Sequence, residues 1–215
     1  MKKVVIFDWG GVILKEYPNH YCDRDAIVDT IRKFNSDLSF EDAYQIYLDT
    51  LFDENDKCIS IYNDYENKHK WYERINHMGN LNASYESCIK EFISNYKKID
   101  KYDEVVNYIY SLKDICKLYL FSDLIFTCYE TLCKHIDLNV FDDVFLSYKE
   151  GYCKSDINAF YNVNGKLNVS SKDILFIDNN INNIENAKKL NWNTLCAYGD
   201  DIHVIIEKVN EFLGV

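Results

Sequence analysis

Three apolar runs in this sequence each end in a polar side chain that could do chemistry. Asp8 follows the run VVIF, Ser122 follows LYLF, and Asp178 follows ILFI. Runs of this length that are rich in β-branched and aromatic residues are typical of buried strands. Because the carboxyl ends of parallel strands meet at one edge of a sheet, we expect the three side chains to face one crevice, with Lys154 reaching into it from a loop.

An acid, a hydroxyl, a lysine and a second acid at one sheet edge suit phosphoryl transfer. A carboxylate such as that of Asp8 can attack phosphorus and form an aspartyl-phosphate that water later hydrolyses. The hydroxyl and the ammonium can hold the transferring oxygens, and Mg²⁺ between carboxylates offsets the repulsion between nucleophile and phosphate. Each residue also has a structural explanation: Asp8 and Ser122 as caps, Lys154 as a solvated loop lysine, and Asp178 as a purely structural acid.

The elements that must position these residues fall into two groups. From residue 16 to residue 98 the apolar spacing is helical, which predicts about four helices, over 23–34, 39–52, 59–78 and 83–96. Ser39 with Asp42 resembles a capping box, and Gly79 is the residue type expected just past a helix end. From residue 99 onward, short apolar strands alternate with helices. That alternation predicts an α/β protein with a doubly wound parallel sheet.

Composition excludes several classes of function. The formal net charge is −11, so binding to nucleic acid or to an anionic membrane is not expected. The eight cysteines are scattered without zinc spacing and the five histidines form no cluster, which favours reduced thiols in a cytoplasmic protein and no zinc site. The N-terminus becomes acidic too early for a signal peptide, and no apolar run reaches membrane-spanning length.

Four segments, taken in order, resemble the motifs of the haloacid dehalogenase-like (HAD) hydrolase superfamily. They are VVIFDWGGVIL, LYLFSD, SYKEGYCKSDINAF and ILFIDNNINNIENAKKL. The resemblance covers essentially the whole chain. It implies a Rossmann-type core formed by residues 1–15 and 99–215, with an inserted α-helical cap at 16–98. It also implies a Mg²⁺-dependent phosphohydrolase that acts on a small phosphorylated metabolite.

The resemblance assigns a role to each motif residue. Asp8 would be the nucleophile, Ser122 would bind phosphate, and Lys154 would orient both. Lys149 is the competing lysine, but the spacing from Gly151 favours Lys154.

The same resemblance gives the metal ligands. Asp8 would bind Mg²⁺ together with the backbone carbonyl of Gly10. Asp178 and Asn179 would fill the acidic pair that lies near the metal.

The sequence departs from the family pattern at three positions. Gly10 stands where phosphatases of the family usually have a second Asp that acts as general acid and base, a role for which Asp123 is a possible substitute. Asn179 replaces a metal-binding Asp, and Ser155 replaces a proline after the motif lysine. A lost general acid typically costs roughly 10²–10⁴-fold in rate, so a slow enzyme or a good leaving group is expected.

Two alternatives remain open from the sequence. A metal-independent 2-haloacid dehalogenase of the same superfamily also lacks the second Asp, and it has an Asn where Asn180 stands; Asn183 fits it less well. Arg24 and Arg32 are the candidates for its halide-binding cation. The other alternative is a HAD-fold protein that has lost catalysis and binds a ligand or a partner.

Overall fold

Five parallel strands form the central sheet of this protein. The computed structural model describes residues 2–16, 18–52, 58–61 and 65–215, without the side chains of 65–68. The strand order is β3-β2-β1-β4-β5, with β1 in the middle. The strands are β1 (Val4–Phe7), β2 (Lys117–Ser122), β3 (Asp143–Leu146), β4 (Ile174–Asp178) and β5 (Asn193–Cys196). The parallel sheet predicted from the alternating pattern is confirmed.

The register of the sheet brings the three polar strand ends together. Phe7 of β1 lies opposite Leu120 of β2 on one side and opposite Ile177 of β4 on the other. The next residue, Asp8, still donates its backbone N–H to the carbonyl of Ile177 at 2.9 Å. The strand ends therefore share one edge, as parallel pairing requires.

In the described part of the chain, four α-helices follow β1 in the sequence and are here called the helical insertion. They are α1 (Asp23–Phe34), α2 (Phe40–Thr50), α3 (Tyr65–Met78) and α4 (Tyr85–Tyr96). The Ser39 hydroxyl accepts the N–H of Asp42 at 3.0 Å and so caps α2, and α3 ends one residue before Gly79, as predicted. That the insertion is a separate cap domain with boundaries at 16 and 98 remains a prediction.

One predicted helix is wrong in extent. A helix was expected over 59–78. Ile59–Ile61 instead form a 3-10 turn, α3 is described from Tyr65, and residues 62–64 lie outside the described residues. The reason is tertiary. The carbonyl of Ser60 accepts a hydrogen bond from the Ser147 hydroxyl at 2.9 Å, so this turn is held against the sheet layer, a contact that local periodicity does not encode.

Six further α-helices cover the sheet. They are α5 (Asp103–Ser111), α6 (Tyr129–His135), α7 (Ser147–Glu150), α8 (Ile157–Leu167), α9 (Ile181–Lys189) and α10 (Ile202–Leu213). Alternate β1 residues belong to two apolar clusters: Val4 and Ile6 pack with α8 and α9, whereas Val5 and Phe7 pack with the helical insertion, α5 and α10. The sheet is therefore covered on both faces, as in a doubly wound fold. Within the described part of the chain, no helix is both long and apolar enough to cross a membrane.

Candidate active site

A buried lysine joins two carboxylates at the carboxyl edge of the sheet. The Lys154 ammonium lies 2.6 Å from Oδ1 of Asp8 and 2.7 Å from Oδ2 of Asp178. All three residues are buried. Asp8 directly follows β1 and Asp178 is the last residue of β4, while Lys154 comes from the loop between α7 and α8. The structure thus places three of the predicted site residues in direct contact.

The two oxygens of Asp8 differ in their surroundings. Oδ1 accepts the Lys154 ammonium and also the backbone N–H of Trp9 at 2.6 Å. Both of these contacts engage Oδ1. Burial, followed by the charge of Asp178, raises the pKa of Asp8 well above its ordinary value, although Lys154 acts in the opposite direction. Burial alone would lower the pKa of Lys154, but the charges of Asp178, Asp8 and Asp123 outweigh it and raise that pKa.

Asp178 is fixed by contacts from the start of α9. Its Oδ1 accepts the backbone N–H of Asn180 at 2.7 Å, and its Oδ2 accepts the Asn183 side-chain amide at 3.0 Å in addition to Lys154. Donors at a helix N-terminus favour a carboxylate. Asp178 is therefore held in one orientation by three donors.

Ser122 is the last residue of β2, the strand beside β1, and Asp123 directly follows it. The Ser122 hydroxyl is buried and makes a 3.3 Å hydrogen bond to the carbonyl of Asp123. The Asp123 carboxylate accepts the backbone N–H of Lys154 with both oxygens, at 2.9 and 3.1 Å. Burial raises the pKa of Asp123. Ser122 lies at the adjacent strand end, as predicted, and Asp123 positions the loop that carries Lys154.

Asn179 and Glu16 form a second polar contact at this edge. The Asn179 amide nitrogen lies 2.6 Å from Oε2 of Glu16, and the two side chains pack directly over Gly11. Burial, followed by the charge of Asp23, raises the pKa of Glu16 to about 7. Sequence reasoning did not select Glu16, because nothing in its spacing links it to a residue 163 positions later.

Two cavities open beside these residues. The smaller, about 60 Å³, is lined by Gly10, Gly11 and Glu16 among others. The larger, about 180 Å³, lies between the helical insertion and the sheet edge, and most of its exposed lining is apolar. Asp23, Tyr96 and Asp123 line both cavities, so the two spaces adjoin.

Comparison with solved structures decides the fold. No protein-family model matches the chain, and no curated protein matches it significantly. A predicted HAD-like family hydrolase from Porphyromonas gingivalis is 17% identical with a TM-score of 0.71, over 97% of this chain and 98% of that one. The HAD family enzyme BT-2542 from Bacteroides thetaiotaomicron, in complex with magnesium and inorganic phosphate, is 18% identical with a TM-score of 0.68, over 91% and 93%. L-2-haloacid dehalogenase from Xanthobacter autotrophicus is 17% identical with a TM-score of 0.60, over 90% and 76%.

The chain has the HAD-like fold. The resemblance seen in the four sequence motifs is thereby confirmed at the level of architecture, with an α/β core and inserted helices. Identities below one in five establish the fold and leave the reaction to be argued from the residues.

Within this HAD-like fold, the lysine and the two arginines that were alternatives to Lys154 or halide-binding candidates make other contacts. Lys149 is exposed and its ammonium lies 4.9 Å from the centre of the Tyr129 ring. Arg24 pairs with Asp25 at 3.0 Å, and Arg32 donates to the carbonyl of Leu38. No arginine lines either cavity among the described residues.

The same edge of the HAD-like fold offers oxygen donors for a hard cation. Asp8, Asp178, the Asn179 amide and the Gly10 carbonyl are the predicted donors. Mg²⁺ binds such oxygens and keeps several waters. Among the described residues no three Asp, Glu, His or Cys side chains are grouped closely enough to hold a metal by themselves. The donor types fit Mg²⁺ with few protein ligands and several waters.

Proposed function

We propose that this chain is a Mg²⁺-dependent phosphohydrolase that acts on a small phosphorylated metabolite through an aspartyl-phosphate on Asp8. One observation carries the proposal: the ammonium of Lys154 joins Asp8 to Asp178 at the carboxyl edge of the sheet. A carboxylate nucleophile, a fixed cation and a second carboxylate at a parallel sheet edge are the parts that phosphoryl transfer needs. Further support comes from a structural neighbour that holds magnesium and inorganic phosphate.

Several side chains of this site each have a separate role in the first step, the attack of Asp8 on phosphorus. Lys154 and the N–H of Trp9 hold Oδ1 of Asp8, so Oδ2 attacks phosphorus. The Ser122 hydroxyl, whose contact to the Asp123 carbonyl is long at 3.3 Å, can turn to donate to a phosphoryl oxygen. Asn183 and Asn180 keep Asp178 in place while the charges rearrange. Positioning and fixed charge are the main contributions expected of the protein in such a reaction.

A dianionic phosphate faces an acidic crevice. Glu16, Asp23 and Asp123 line the smaller cavity, where Lys15 is the lining cation and already pairs with Asp100 at 3.0 Å. When bound, Mg²⁺ would supply the charge that reduces the repulsion between the Asp8 carboxylate and the phosphate. Asp8, Asp178, Asn179 and the Gly10 carbonyl are the groups that would hold it. Activity is therefore expected to depend on the metal.

The leaving group must be protonated without an acid at position 10. Asp123 lines both cavities, and the raised pKa of its carboxyl favours the form that can donate a proton. The substrate's leaving group is expected to occupy the larger, mostly apolar cavity, which accommodates a small organic group.

The dehalogenase alternative has one observation in its favour and one against it. A haloacid dehalogenase is among the structural neighbours. That chemistry needs a cation for the departing halide, and both Arg24 and Arg32 are engaged elsewhere. We therefore rank it below the phosphohydrolase.

The deciding experiment measures hydrolysis of para-nitrophenyl phosphate with Mg²⁺, and with EDTA, by the wild type and by Asp8→Asn. We expect Mg²⁺-dependent hydrolysis that the substitution abolishes, while Lys149→Met retains it. Release of chloride from 2-chloropropionate without metal would support the dehalogenase. A folded protein with neither activity and no Mg²⁺ binding would support the non-catalytic alternative. A panel of small phosphate esters then identifies the preferred substrate.

A further inference from the structure

Three side chains form a hydrogen-bonded chain between the helical insertion and the loop that carries Lys154. The Ser60 hydroxyl lies 3.3 Å from the Cys58 sulfur and 3.1 Å from the Cys153 sulfur. Two sulfurs from distant parts of the sequence therefore contact the same hydroxyl.

The backbone around both cysteines is anchored. Cys58 pairs with Phe52 in an isolated antiparallel bridge, directly before the 3-10 turn at Ile59–Ile61. The Ser147 hydroxyl donates to the carbonyl of Ser60 at 2.9 Å, which joins this turn to α7. Cys153 comes directly before Lys154. The Ser60 hydroxyl, which contacts both sulfurs, therefore also links the helical insertion to the loop that carries Lys154.

The two thiols are electronically unequal. The hydrogen bond from Cys153 is the largest influence on Cys58 and lowers the pKa of that thiol to about 7. The same hydrogen bond, followed by burial, raises the pKa of Cys153. Cys58 is half-buried and lines the larger cavity, whereas Cys153 is buried. A small oxidant that enters the cavity therefore meets the more acidic thiol first, and thiolates are the reactive form.

We propose that Cys58 and Cys153 are a redox pair that closes to a reversible disulfide when a hydroperoxide enters the larger cavity. The Cys58 thiolate attacks one peroxide oxygen, the O–O bond breaks, and the sulfur becomes a sulfenic acid while the other oxygen leaves as water or an alcohol. Cys153 then attacks the Cys58 sulfur and the hydroxyl leaves as water. Overall, two thiols lose two electrons and two protons, and the peroxide is reduced.

The disulfide has a consequence for turnover that rests on the proposed function. A bond of about 2.05 Å between the sulfurs would tie the helical insertion to the residue before Lys154. Substrate entry and product release from a cavity between insertion and sheet require the two to separate. We therefore expect the oxidised protein to lose activity and a dithiol to restore it.

Peptide mapping tests the pair without relying on activity. The full-length protein is treated with hydrogen peroxide at pH 8, alkylated and digested without reduction. We expect one dominant linked peptide joining Cys58 to Cys153, reversed by dithiothreitol.

In Cys153→Ser, the Cys58 sulfenic acid should accumulate and react with a dimedone-type probe. In Cys58→Ser, Cys153 should stay alkylatable. The exposed Cys133 and Cys196 are replaced by Ser in a matched control, which should still form the link.

The outcomes separate the redox pair from the proposed function. No 58–153 link, or a dominant link from Cys58 to Cys128, which lines the same cavity, would overturn the pair. Formation of the link without loss of hydrolysis would overturn its effect on turnover. If the chain hydrolyses no phosphate ester at all, the peptide map still decides whether the pair exists.

Discussion

The ammonium of Lys154 lies 2.6 Å from Oδ1 of Asp8, and both side chains are almost entirely buried. The same ammonium lies 2.7 Å from Asp178. One cation therefore serves two carboxylates that have little access to water. Breaking a buried ion pair by removing one partner leaves an uncompensated charge, which makes this lysine a site where fold stability and the proposed chemistry depend on the same group.

Lys154→Met should destabilise the protein by about 3–5 kcal/mol, more at pH 8 than at pH 5. Burial and the charge of Asp178 already raise the pKa of Asp8, and the variant loses the lysine that opposes them. A carboxyl whose folded-state pKa exceeds its unfolded value destabilises the fold once it must ionise, so the cost grows as pH rises. Urea denaturation at the two pH values measures it.

The control for this prediction is Lys149→Met. Lys149 is exposed and contacts the Tyr129 ring, so its loss should change stability by less than about 1 kcal/mol, with no added pH dependence. Equal effects of the two substitutions would contradict a special role for the buried ammonium.

Much of this site could be predicted because parallel strands obey simple geometry. Asp8, Ser122 and Asp178 each follow an apolar run, and parallel pairing brings such ends to one edge. Lys154 was different: its place in a polar loop is not fixed by periodicity, and only the motif resemblance favoured it over Lys149. That choice agrees with the contact observed between Lys154 and the two carboxylates.

What could not be predicted depends on contacts between distant segments. The hydrogen bond from Asn179 to Glu16 joins residues from opposite ends of the chain, and neither residue lies in a pattern that names the other. The start of the predicted helix over 59–78 was wrong for the same reason, because the turn at Ser60 is held by the Ser147 hydroxyl. Helical periodicity reports which face of a segment is apolar and carries no information about which partner that segment meets.

Gly10→Asp should increase hydrolysis of aryl phosphates. A side chain at Gly10 meets no atom within 4 Å of its Cβ position, and the residue lines the smaller cavity. The substitution supplies a carboxyl at the position where phosphatases of the resembled family usually have a general acid. General acid catalysis is typically worth 10²–10⁴-fold, and we expect about a tenfold gain in kcat from an acid that has not been optimised.

The control for Gly10→Asp is Gly10→Asn, which has nearly the same shape and no acidic proton. It should leave the rate near that of the wild type. A gain in kcat of equal size from the amide would show that packing, and not proton transfer, causes the effect.

Gly11→Ala should destabilise the protein through a collision at the Asn179–Glu16 contact. Gly11 has φ +72°, and a Cβ there would lie 2.2 Å from the Asn179 amide nitrogen and 2.4 Å from Oε2 of Glu16. We expect a loss of about 2 kcal/mol or more in the free energy of unfolding. Gly151→Ala is the matched control, because Gly151 has φ +76° with nothing within 4 Å. If Gly11→Ala lowers the free energy of unfolding no more than Gly151→Ala does, backbone strain alone explains the loss and the predicted collision is contradicted.

Glu16→Gln should stabilise the metal-free protein at high pH and have little effect at low pH. Burial raises the pKa of Glu16 from 4.5 to about 7, so keeping it ionised costs stability that grows as pH rises from 4.5 to 7. At pH 8 we expect Glu16→Gln to raise the free energy of unfolding by about 2 kcal/mol. This is less than the full free energy of the pKa shift, because the carboxyl keeps some contact with solvent. Glutamine keeps an oxygen for the Asn179 amide. Thermal unfolding in EDTA across pH measures the gain, and the exposed Glu130→Gln should show no such trend.

Asn179→Asp should make the stability of the protein depend strongly on Mg²⁺. The Asn179 amide donates to Glu16 at 2.6 Å, so an aspartate there sets two carboxylates in contact and should lower Tm in EDTA. With Mg²⁺ the added charge becomes favourable. A unit-charge contact near 4 Å is worth roughly 4 kcal/mol at an effective dielectric near 20, and even a third of that tightens Mg²⁺ binding about tenfold. Calorimetric titration measures the affinity.

The control is Asn180→Asp, which adds the same charge at the exposed N-cap of α9 and should leave the Mg²⁺ affinity unchanged. Equal tightening by both variants would indicate a general effect of the added charge and not a ligand at position 179.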